Sequence, residues 1–598
     1  MKETTSIYKN RSEKFANLNR RQKQTSNFYS ILRLLIFCSG AGFLIYFLKY
    51  NNYLLAFVIF IITVLCFILV AKKHGELMIR RKICNNIIDI NKKSLERTKG
   101  EWKSFKDTGK EYIDSNHDFS YDLDVFGNNS LFQYINTART YFGRNALKNS
   151  LSNFPNSKEL ISKRQVAIKE LAKNLWWRQK LEAYALCSEN LKKPEKLIQW
   201  SKDKVVFYEN NSLKIIINIL PIFTVSAGVM HFMFGIIPYT IPAILFVIQI
   251  LITGFRYGER AKYLSSIYEY KKDIETYFTM IKHVDKKKFQ SEYLMELKGK
   301  LVDLNGQNSY TSMNEFSKIV RSISDRRNMF YIIKDLLFLW DYRVCFSFNK
   351  WKKESGENLG SWLEILGEFE ALSSLAILNF DNPKWVTPEF TEKKRIIAKN
   401  SAHPLITGKR ISNPINIDEK SPISLITGSN MAGKSTYLRT VGINLALAYT
   451  GAAVCASTFQ CPILHIYTCM RVNDDIDKRI SSFYGEIIRI KKITEAIEQK
   501  EEVFFLLDEI FKGTNSIDRH TGAKILINKL RSYGGIGLVS THDLELSSLE
   551  DESMGKIKNY HFEEYYKNNE IFFDYKLKTG VSKTRNAMYL MKMAGIEI

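Results

Sequence analysis

The chain has 598 residues, which is enough for several domains and too many for one hydrophobic core. Its formal net charge is +25, and almost all of the excess lies before Ser401, because the residues from there onward carry 25 basic and 23 acidic side chains. The eight cysteines form no CxxC pair or Cys/His cluster, which argues against a disulfide scaffold and is typical of small core residues in a reducing compartment. Anionic lipid and nucleic acid both stay open as partners of the basic part.

Four apolar runs come first in chain order. Residues 31–48 and 53–71 form one pair, and a second pair fills 215–255. Each run is about long enough to cross a ~30 Å hydrocarbon layer as a helix. Buried core helices are the alternative, but amphipathic soluble helices carry polar residues every three or four positions, and these runs do not. The pattern predicts four transmembrane helices in two hairpins.

Basic residues set the orientation of both hairpins. Lysines and arginines precede the first run, follow the second run and bracket the second pair at Lys214 and Arg256, whereas the turns near Asn51 and Gly235 carry almost no charge. By the positive-inside rule, both hairpins begin and end in the cytoplasm. We therefore expect a multi-pass protein of the cytoplasmic (inner) membrane, with the lipid bilayer as a partner and the soluble domains in the cytoplasm.

The soluble parts change character along the chain. Helical patterns dominate between and after the hairpins, and from about residue 383 short β-rich runs alternate with helical stretches. This alternation is typical of an α/β nucleotide-binding domain with a mainly parallel sheet. The predicted fold is an α/β P-loop domain preceded by a largely α-helical core or lever region with four transmembrane helices. The predicted segments are 1–96 with the first hairpin, 97–212 helical, 213–256 with the second hairpin, 257–400 helical and 401–598 α/β.

A phosphate-binding loop opens the α/β part. The strand 423–427 runs into GSNMAGKS, which matches GxxxxGK[ST] in the strand-then-helix context that the motif requires. In such a loop the backbone N–H groups wrap the phosphates of ATP, the lysine neutralises their charge, and the serine hydroxyl ligates Mg²⁺. The predicted nucleotide-binding residues are Gly428, Ser429, Asn430, Met431, Ala432, Gly433, Lys434, Ser435 and Thr436, with Ser435 also a metal ligand.

Two further strands add candidate catalytic groups at the same edge of the sheet. The strand 503–507 ends in Asp508 and Glu509, which predicts that Asp508 holds Mg²⁺ and that Glu509 polarises the attacking water. The strand 537–540 is followed by His542, which can reach the γ-phosphate. Together the three strand ends predict a Mg²⁺-dependent ATPase.

These residues resemble one family closely. The stretches ITGSNMAGKSTYLRT, LLDEIFKGTNSID, STHDLELSSLE and NDDIDKRISSFYGEI are similar to the phosphate loop, the Walker B segment, the histidine switch and the cross-dimer segment of the MutS mismatch-repair ATPases. The stretch LFQYINTARTYFGRNALKNSL resembles the start of the MutS core domain. The chain is identified as a membrane-anchored, truncated member of the MutS superfamily that lacks the mismatch-recognition domain.

The resemblance implies a homodimer with two composite ATP sites and a clamp that binds duplex DNA. Ser481 would reach the γ-phosphate bound by the partner, and Arg410 stands where relatives place an aromatic residue under the adenine. Three departures count against specific recognition of mismatches. Phe-x-Glu at residues 390–392 and 562–564 is misplaced, Arg-Asn-Ala at 585–587 replaces the usual Ser-Tyr-Gly, and the helix-turn-helix brace is missing from the sequence.

Two functions stay open at this point. One is a DNA-associated ATPase of the MutS type, related to mismatch repair and held at the membrane. The other is a mechanochemical or ABC-like ATPase that acts on a membrane partner without DNA. No LSGGQ-type signature precedes the Walker B strand, which disfavours a transporter motor.

Overall fold

The computed structural model describes residues 2–188, 192–203, 208, 210–302, 306–323, 329–429, 431–471, 482–567 and 570–581. A helical N-terminal part leads into a C-terminal part in which strands and helices alternate. The expected order of a helical region followed by an α/β region agrees with this arrangement. The helices of the first part are α1 (Lys2–Lys49), α2 (Tyr53–Lys99), α3 (Leu131–Ile135), α4 (Tyr141–Ser152), α5 (Lys158–Lys173), α6 (Leu175–Ala185), α7 (Glu195–Lys202), α8 (Asn211–Phe234), α9 (Thr240–Gly254), α10 (Tyr257–Tyr268), α11 (Lys271–Asp285), α12 (Glu292–Gly299), α13 (Ser309–Ser322), α14 (Met329–Phe338), α15 (Trp340–Ser355) and α16 (Leu359–Asp381).

The first two helices form a long hairpin. At 1.5 Å per residue, α1 and α2 are each about 70 Å long. Their apolar halves expose large side chains, such as Leu54, which is 76% exposed. Their other halves pack on the helical core, where the Tyr8 hydroxyl donates to Asp381 (2.7 Å) and Arg97 Nε donates to the Tyr134 carbonyl (2.8 Å). Because α2 continues unbroken to Lys99, it crosses the segment boundary expected after residue 96.

Helices long and apolar enough to cross a membrane occur in both apolar regions. In the described chain they are α1, α2 and α8, and a fourth candidate is α9 taken together with α10, which are bent by 63° at the break between them. Alone, α9 has 15 residues and is about 22 Å long. It begins only at Thr240, after the turn near Pro238, and it ends before Arg256, whose φ is +48°. The fourth apolar run therefore contains a shorter helix than the sequence predicts.

The core of the helical part is centred on α16. Trp362, Leu366 and Phe369 on this helix are fully buried, and α16 packs against α4 and α5. The same hydrophobic core continues into the C-terminal part through Leu438 and Leu506. The two parts are therefore packed on each other rather than joined only by a linker.

The C-terminal part is built on two larger sheets and a hairpin. Its strands are β1 (Glu389–Phe390), β2 (Ile396–Ser401), β3 (Asn413–Ile417), β4 (Ile423–Thr427), β5 (Thr458–Cys461), β6 (His465–Cys469), β7 (Val503–Asp508), β8 (Ile536–Ser540), β9 (Ile557–His561), β10 (Glu564–Lys567), β11 (Glu570–Phe573) and β12 (Lys578–Thr579). Its helices are α17 (Lys434–Thr450), α18 (Ser482–Glu498), α19 (Ser516–Ser532) and α20 (Leu549–Glu552).

The larger sheet has the strand order β12-β9-β4-β8-β7-β6. Neighbouring strands from β9 to β6 are parallel, and β12 is antiparallel to β9. This agrees with the mainly parallel sheet expected from the sequence. A second sheet, β1-β5-β2-β3, takes strands from both sides of the boundary expected at residue 400. The carboxyl ends of β4, β8 and β7 are adjacent, so the chemistry-bearing residues that follow them are brought together.

Candidate nucleotide-binding site

A cavity of about 450 Å³ lies at the carboxyl end of β4. The phosphate-binding loop forms one side of it, and the loop between β2 and β3 forms another. Its lining residues are Ser401, His403, Ile406, Lys409, Arg410, Ile411, Asn413, Ser429, Met431, Gly433, Lys434, Ser435, Thr436, Tyr437, Thr440, Glu509, Phe562 and Tyr575. The cavity is mixed in character, with cationic, hydroxyl and aromatic groups converging on it, as expected for a ligand that carries both phosphates and a ring.

The phosphate-binding loop has a backbone that only glycine adopts readily at two positions. Gly428 follows the buried strand β4 with φ +145°, and Gly433 precedes α17 with φ +108°. A Cβ on Gly428 would lie 2.8 Å from the Phe562 carbonyl oxygen, and a Cβ on Gly433 would lie 3.2 Å from the ring of Tyr575. The two glycines therefore let the loop turn tightly and direct the N-terminal end of α17 towards the cavity.

Lys434 is the first residue of α17, and its side chain is only 3% exposed. Its ammonium donates to the carbonyl oxygens of Gly428 (2.7 Å) and Ser429 (3.0 Å), and it lies 3.3 Å from Glu509 Oε1. A buried ammonium requires a negative counter-charge, and here the only one within ion-pair distance among the described residues is Glu509. The Walker A lysine and the residue predicted to activate water are therefore in direct contact.

Glu509 follows the last residue of β7 in a left-handed conformation, with φ +50°. Its backbone N–H donates to the Ser540 carbonyl (2.9 Å), which fixes it to the neighbouring strand β8. Burial acts to raise the pKa of the Glu509 carboxyl, but Lys512 at 3.0 Å and Lys434 outweigh it and hold the pKa below its usual range. Glu509 is therefore ionised at neutral pH, as a group that accepts a proton must be.

The other predicted catalytic and metal-binding residues of the two strand ends also meet here. Asp508 accepts a hydrogen bond from the Ser540 hydroxyl. His542 Nδ1 lies 3.9 Å from Glu509 Oε2, and the His542 side chain is 44% exposed. The structure thus brings Asp508, Glu509 and His542 to one edge of the sheet beside Lys434, as their positions in the sequence predicted.

The predicted loop residues differ in what they contribute. Ser429, Met431, Ser435 and Thr436 line the cavity. Ala432 is buried in the hydrophobic core instead. Asn430 and Ser481, the second of which was expected to act across a dimer, lie outside the described residues.

Arg410 lines the cavity, but other groups already hold its guanidinium. Its Nη2 donates to the Pro404 carbonyl (3.1 Å), its Nε donates to the Ile406 carbonyl, and its Cζ lies 5.5 Å from the centre of the Trp385 ring. The expected stacking of Arg410 on an adenine would have to use the face of the guanidinium that is turned away from Trp385.

Two further residues at the site are not among the predicted site residues. Tyr575, after β11, borders the cavity with its ring against Gly433. Glu486 on α18 accepts a hydrogen bond from the backbone N–H of Phe511 and so holds the loop that follows Glu509. The FYGEI stretch is a signal for Glu486, because it belongs to the segment that resembles the cross-dimer segment of the family. No local pattern marks Tyr575.

The donor set fits ATP and Mg²⁺. A glycine loop, a buried lysine and the N-terminal end of a helix are the groups that proteins use to hold phosphates, and Ser435 and Asp508 offer the hard oxygen ligands that Mg²⁺ prefers. Ile411 and the ring of Tyr575 add apolar surface to the lining of the cavity. The residues present are therefore consistent with a nucleotide triphosphate as the ligand.

A segment of the helical part is docked against this domain through one buried and one partly exposed carboxylate. Asp122, only 1% exposed, accepts hydrogen bonds from Thr468 Oγ1 (2.8 Å), the Met470 N–H (3.0 Å) and Arg489 Nη1 (3.0 Å). The next acidic residue, Asp124, forms ion pairs with two arginines of the C-terminal domain. These are Arg471 (2.6 Å) and Arg439 (3.2 Å).

This docking connects the helical part to the elements around the cavity. Arg439 lies on α17, the helix that begins at Lys434, and Arg489 lies on α18, the helix that carries Glu486. A movement of either helix would therefore displace residues 114–129. This polar stretch has no regular helix of its own before Leu131.

Comparison with known proteins gives the same assignment for the C-terminal part. The family model for MutS domain V matches residues 424–597. The chain is 31% identical over 245 residues to a DNA mismatch repair protein MutS of Aquifex pyrophilus, which covers 40% of this chain and 28% of the relative. It is 26% identical over 283 residues to the protein of that name in Methanosarcina mazei, covering 46% of this chain and 31% of the relative.

A third relative of the same name, from Streptococcus mutans, is 29% identical over 247 residues, covering 40% of this chain and 29% of the relative. The matched region thus spans less than a third of the length of each of these relatives. The match to MutS domain V includes the phosphate-binding loop, Asp508 and Glu509 at the end of β7 and His542 after β8, and of these the loop and Glu509 line the cavity. A matching domain model, three relatives of one name and a site with the geometry described above agree, and the chain belongs to the MutS superfamily.

Proposed function

We propose that the protein binds and hydrolyses ATP with Mg²⁺ at the cavity between the phosphate-binding loop and Glu509. The observation that carries this proposal is the contact between Lys434 and Glu509 at the carboxyl edge of the parallel sheet. It combines a phosphate-binding cation with an ionised carboxylate, and these are the two groups that hydrolysis of a phosphoanhydride needs within reach of one another.

Each residue has a distinct part in this proposal. Lys434 and the loop N–H groups hold the phosphates and neutralise their charge, while Glu509 orients a water and accepts its proton. His542, beside Glu509, is placed to sense the terminal phosphate. Mg²⁺, held by Ser435 and Asp508, would supply charge stabilisation to the phosphate oxygens when bound.

The family relationship supports a homodimer with composite sites. In that arrangement Ser481 of one chain would complete the cavity of the other. The relatives are named as DNA mismatch repair proteins, which supports a function related to mismatch repair, with duplex DNA as the partner. The basic N-terminal two-thirds of the chain suits phosphate contacts of this kind.

We further propose that both hairpins anchor the protein in the cytoplasmic membrane. Large apolar side chains face outward on the apolar halves of α1 and α2 and all along α8. Exposing so much apolar surface to water would be unfavourable. Lysines and arginines cluster at the outer ends of both hairpins, whereas Lys49 is the one lysine or arginine beside a turn, and this asymmetry supports an orientation with the ATPase domain in the cytoplasm.

The second candidate is an ATPase that acts on a membrane partner and not on DNA. It is favoured by the way the second hairpin is fixed to the helical part. Gln249, buried on α9, donates to the Leu337 carbonyl (3.2 Å), and Tyr342 donates to the Phe255 carbonyl (2.8 Å). A hairpin held this firmly would move with the helices that the ATPase domain moves.

Steady-state turnover in nanodiscs, with and without duplex, mismatched and branched DNA, separates the two candidates. A change in turnover with DNA that weakens as salt rises supports the DNA-associated enzyme. Turnover that responds to lipid composition and to no DNA supports the second candidate. Lys434→Ala should weaken ATP binding at least about tenfold, because it removes a charge-assisted contact to phosphate. Lys529→Ala, in the last turn of α19, is the matched control and should bind ATP like the unaltered protein.

A further inference from the structure

In helix α14 (Met329–Phe338), apolar side chains are exposed and a carboxylate is buried, which is the opposite of the arrangement in a soluble surface helix. Its large apolar side chains Ile332, Ile333 and Phe338 are 49%, 46% and 40% exposed, whereas Asp335 is buried at 6%. Asp335 accepts a hydrogen bond from the backbone N–H of Asp341 (2.8 Å), so its charge is turned towards the protein. A helix in water buries its apolar face. The outward face of α14 is therefore suited to a non-aqueous medium.

The hydrogen bond between α14 and the second hairpin fixes the depth of α14 relative to the end of α9. Gln249, whose side chain is bonded to the Leu337 carbonyl at the end of α14, precedes the end of α9 at Gly254 by five residues. At 1.5 Å per residue, this places the end of α14 about 8 Å inward from the end of α9. Amphipathic helices that lie in the plane of a membrane bury their apolar face about 5–10 Å deep. The two depths agree.

Polar and aromatic groups gather at the level where α9 ends. Tyr342 donates to the carbonyls of Ile252 (3.1 Å) and Phe255 (2.8 Å), and Arg260 Nη1 donates to the Phe255 carbonyl (2.9 Å). These donors satisfy the last carbonyls of α9, which would otherwise lack partners in hydrocarbon. Together they mark a boundary between apolar and aqueous surroundings.

Lys334 on α14 and Trp340 at the start of α15 contact each other. The Lys334 ammonium is 3.2 Å from the centre of the Trp340 ring, and Trp340 Nε1 donates to the Ser322 carbonyl (3.2 Å). Tryptophan and lysine are the residues that typically occupy the headgroup level, because each combines an apolar body with a polar end.

We infer that α14 is a membrane-surface helix that lies in the cytoplasmic leaflet beside the second hairpin, with Ile332, Ile333 and Phe338 among the lipid acyl chains. This inference rests on the proposed anchoring of the hairpins and extends it to a helix that neither its length nor its composition marks as a span. Since α14 leads directly into α15 and α16, the membrane then has a contact with the helical core in addition to the two hairpins.

Site-specific quenching in nanodiscs tests this inference. Cys38, Cys66 and Cys187, the cysteines with exposed or half-exposed side chains, are replaced by serine, and an environment-sensitive fluorophore is attached at Ile333→Cys. Two reference positions are labelled in the same way: Ile222→Cys in the middle of α8 and Lys350→Cys on the outer face of α15. Quenching is measured with phosphatidylcholine that carries a doxyl group either near the headgroup or near the middle of the acyl chain and, separately, with iodide in the water.

The inference predicts that the label at position 333 loses most of its fluorescence with doxyl lipid and little with iodide, like the label at 222 and unlike the label at 350. If the label at 222 is quenched by doxyl lipid while the label at 333 is quenched by iodide, α14 faces water and the inference is wrong, but the anchor stands. If neither 222 nor 333 responds to doxyl lipid, the anchoring itself fails. Protection of position 333 from both quenchers means that protein covers α14, which also overturns the inference.

Discussion

Glu370 is a fully buried carboxyl that the candidate site does not use. Its Oε1 accepts hydrogen bonds from the backbone N–H groups of Arg139 (2.9 Å) and Thr140 (3.3 Å), at the beginning of α4. Burial nevertheless raises the pKa of Glu370 to about 7. Gly143 leaves the space that this carboxyl occupies, because a Cβ there would overlap with Glu370.

The raised pKa of Glu370 makes stability fall as pH rises. Between its unfolded pKa of 4.5 and its folded pKa of about 7, the unfolded chain has already lost the proton that the folded chain keeps. We expect Glu370→Gln to remove this loss of stability. The substitution should stabilise the protein at pH 8 by on the order of 3 kcal/mol, with a smaller gain at pH 5.5. Thermal melting in detergent at the two pH values measures it, with the exposed Glu364→Gln on the same helix as the control. A gain that is the same at both pH values would contradict the assignment.

At the scale of elements, α18 is held to the helical part by two ion pairs in the described chain, Arg489 with Asp122 and Lys492 with Asp118, and only the first involves a fully buried carboxylate. Arg489 Nη1 lies 3.0 Å from the buried Asp122, whereas Lys491, two residues further on, is 71% exposed and pairs with Glu495 within the same helix. We expect Arg489→Ala to lower the free energy of unfolding by about 2 kcal/mol, the cost of losing a hydrogen bond to a charged group. Lys491→Ala should change it little, because exposed pairs contribute little.

Thermal melting and ATP turnover should both register the loss of Arg489, since α18 also carries Glu486, which holds the loop after Glu509. Equal melting temperatures for the two variants would show that the docking of residues 114–129 does not depend on Asp122.

The packing of α1 on α2 gives a second prediction at this scale. Gly40 faces Thr63 so closely that an added Cβ would overlap with the threonine side chain, whereas nothing lies within 4 Å of a Cβ added at Gly42. Gly40→Val should therefore separate the two helices and cost about 1–3 kcal/mol, and Gly42→Val should be tolerated. The melting temperature in detergent compares them, and equal effects of the two substitutions would refute the close contact.

The local sequence predicted the site residues that lie close to one another along the chain. The glycines and lysine of the phosphate-binding loop lie within eight residues of a strand, and the carboxylates follow an apolar strand directly, so spacing alone identified them. Tyr575 reaches the cavity from a distant turn, and the docking of Asp122 on Arg489 joins residues far apart in the chain. No short-range pattern encodes such contacts, because they depend on how the elements pack.

The same reasoning explains what the apolar patterns missed. The stretch of α14 is shorter than a membrane span and is interrupted by Lys334 and Asp335, so hydropathy alone does not mark it. The fourth apolar run, read as a full span, contains a helix of 15 residues because prolines at its start and the turn at Arg256 shorten it. Only the exposed face of α14 and its bond to α9 show where it lies.

At the scale of the whole molecule, the first hairpin reaches the edge of the candidate site. α2 ends at Lys99, and the backbone of Gly100, which follows it, lies against the Thr407 side chain in the loop that also contributes Ile406 and Arg410 to the cavity. With α1, it runs unbroken from the exposed apolar tip to this contact. The proposed membrane anchor and the proposed nucleotide site are thus connected by one continuous helix, along which a nucleotide-dependent movement would reach the membrane.

The most direct test of the account is ATP binding and turnover by the Glu509→Gln protein in nanodiscs with Mg²⁺. The account predicts that this variant retains ATP and that its turnover falls by about 10²-fold or more, because the group that accepts the proton from water is lost while Lys434 still holds the phosphates. Turnover equal to that of the unaltered protein would contradict the account, since hydrolysis would then not depend on Glu509.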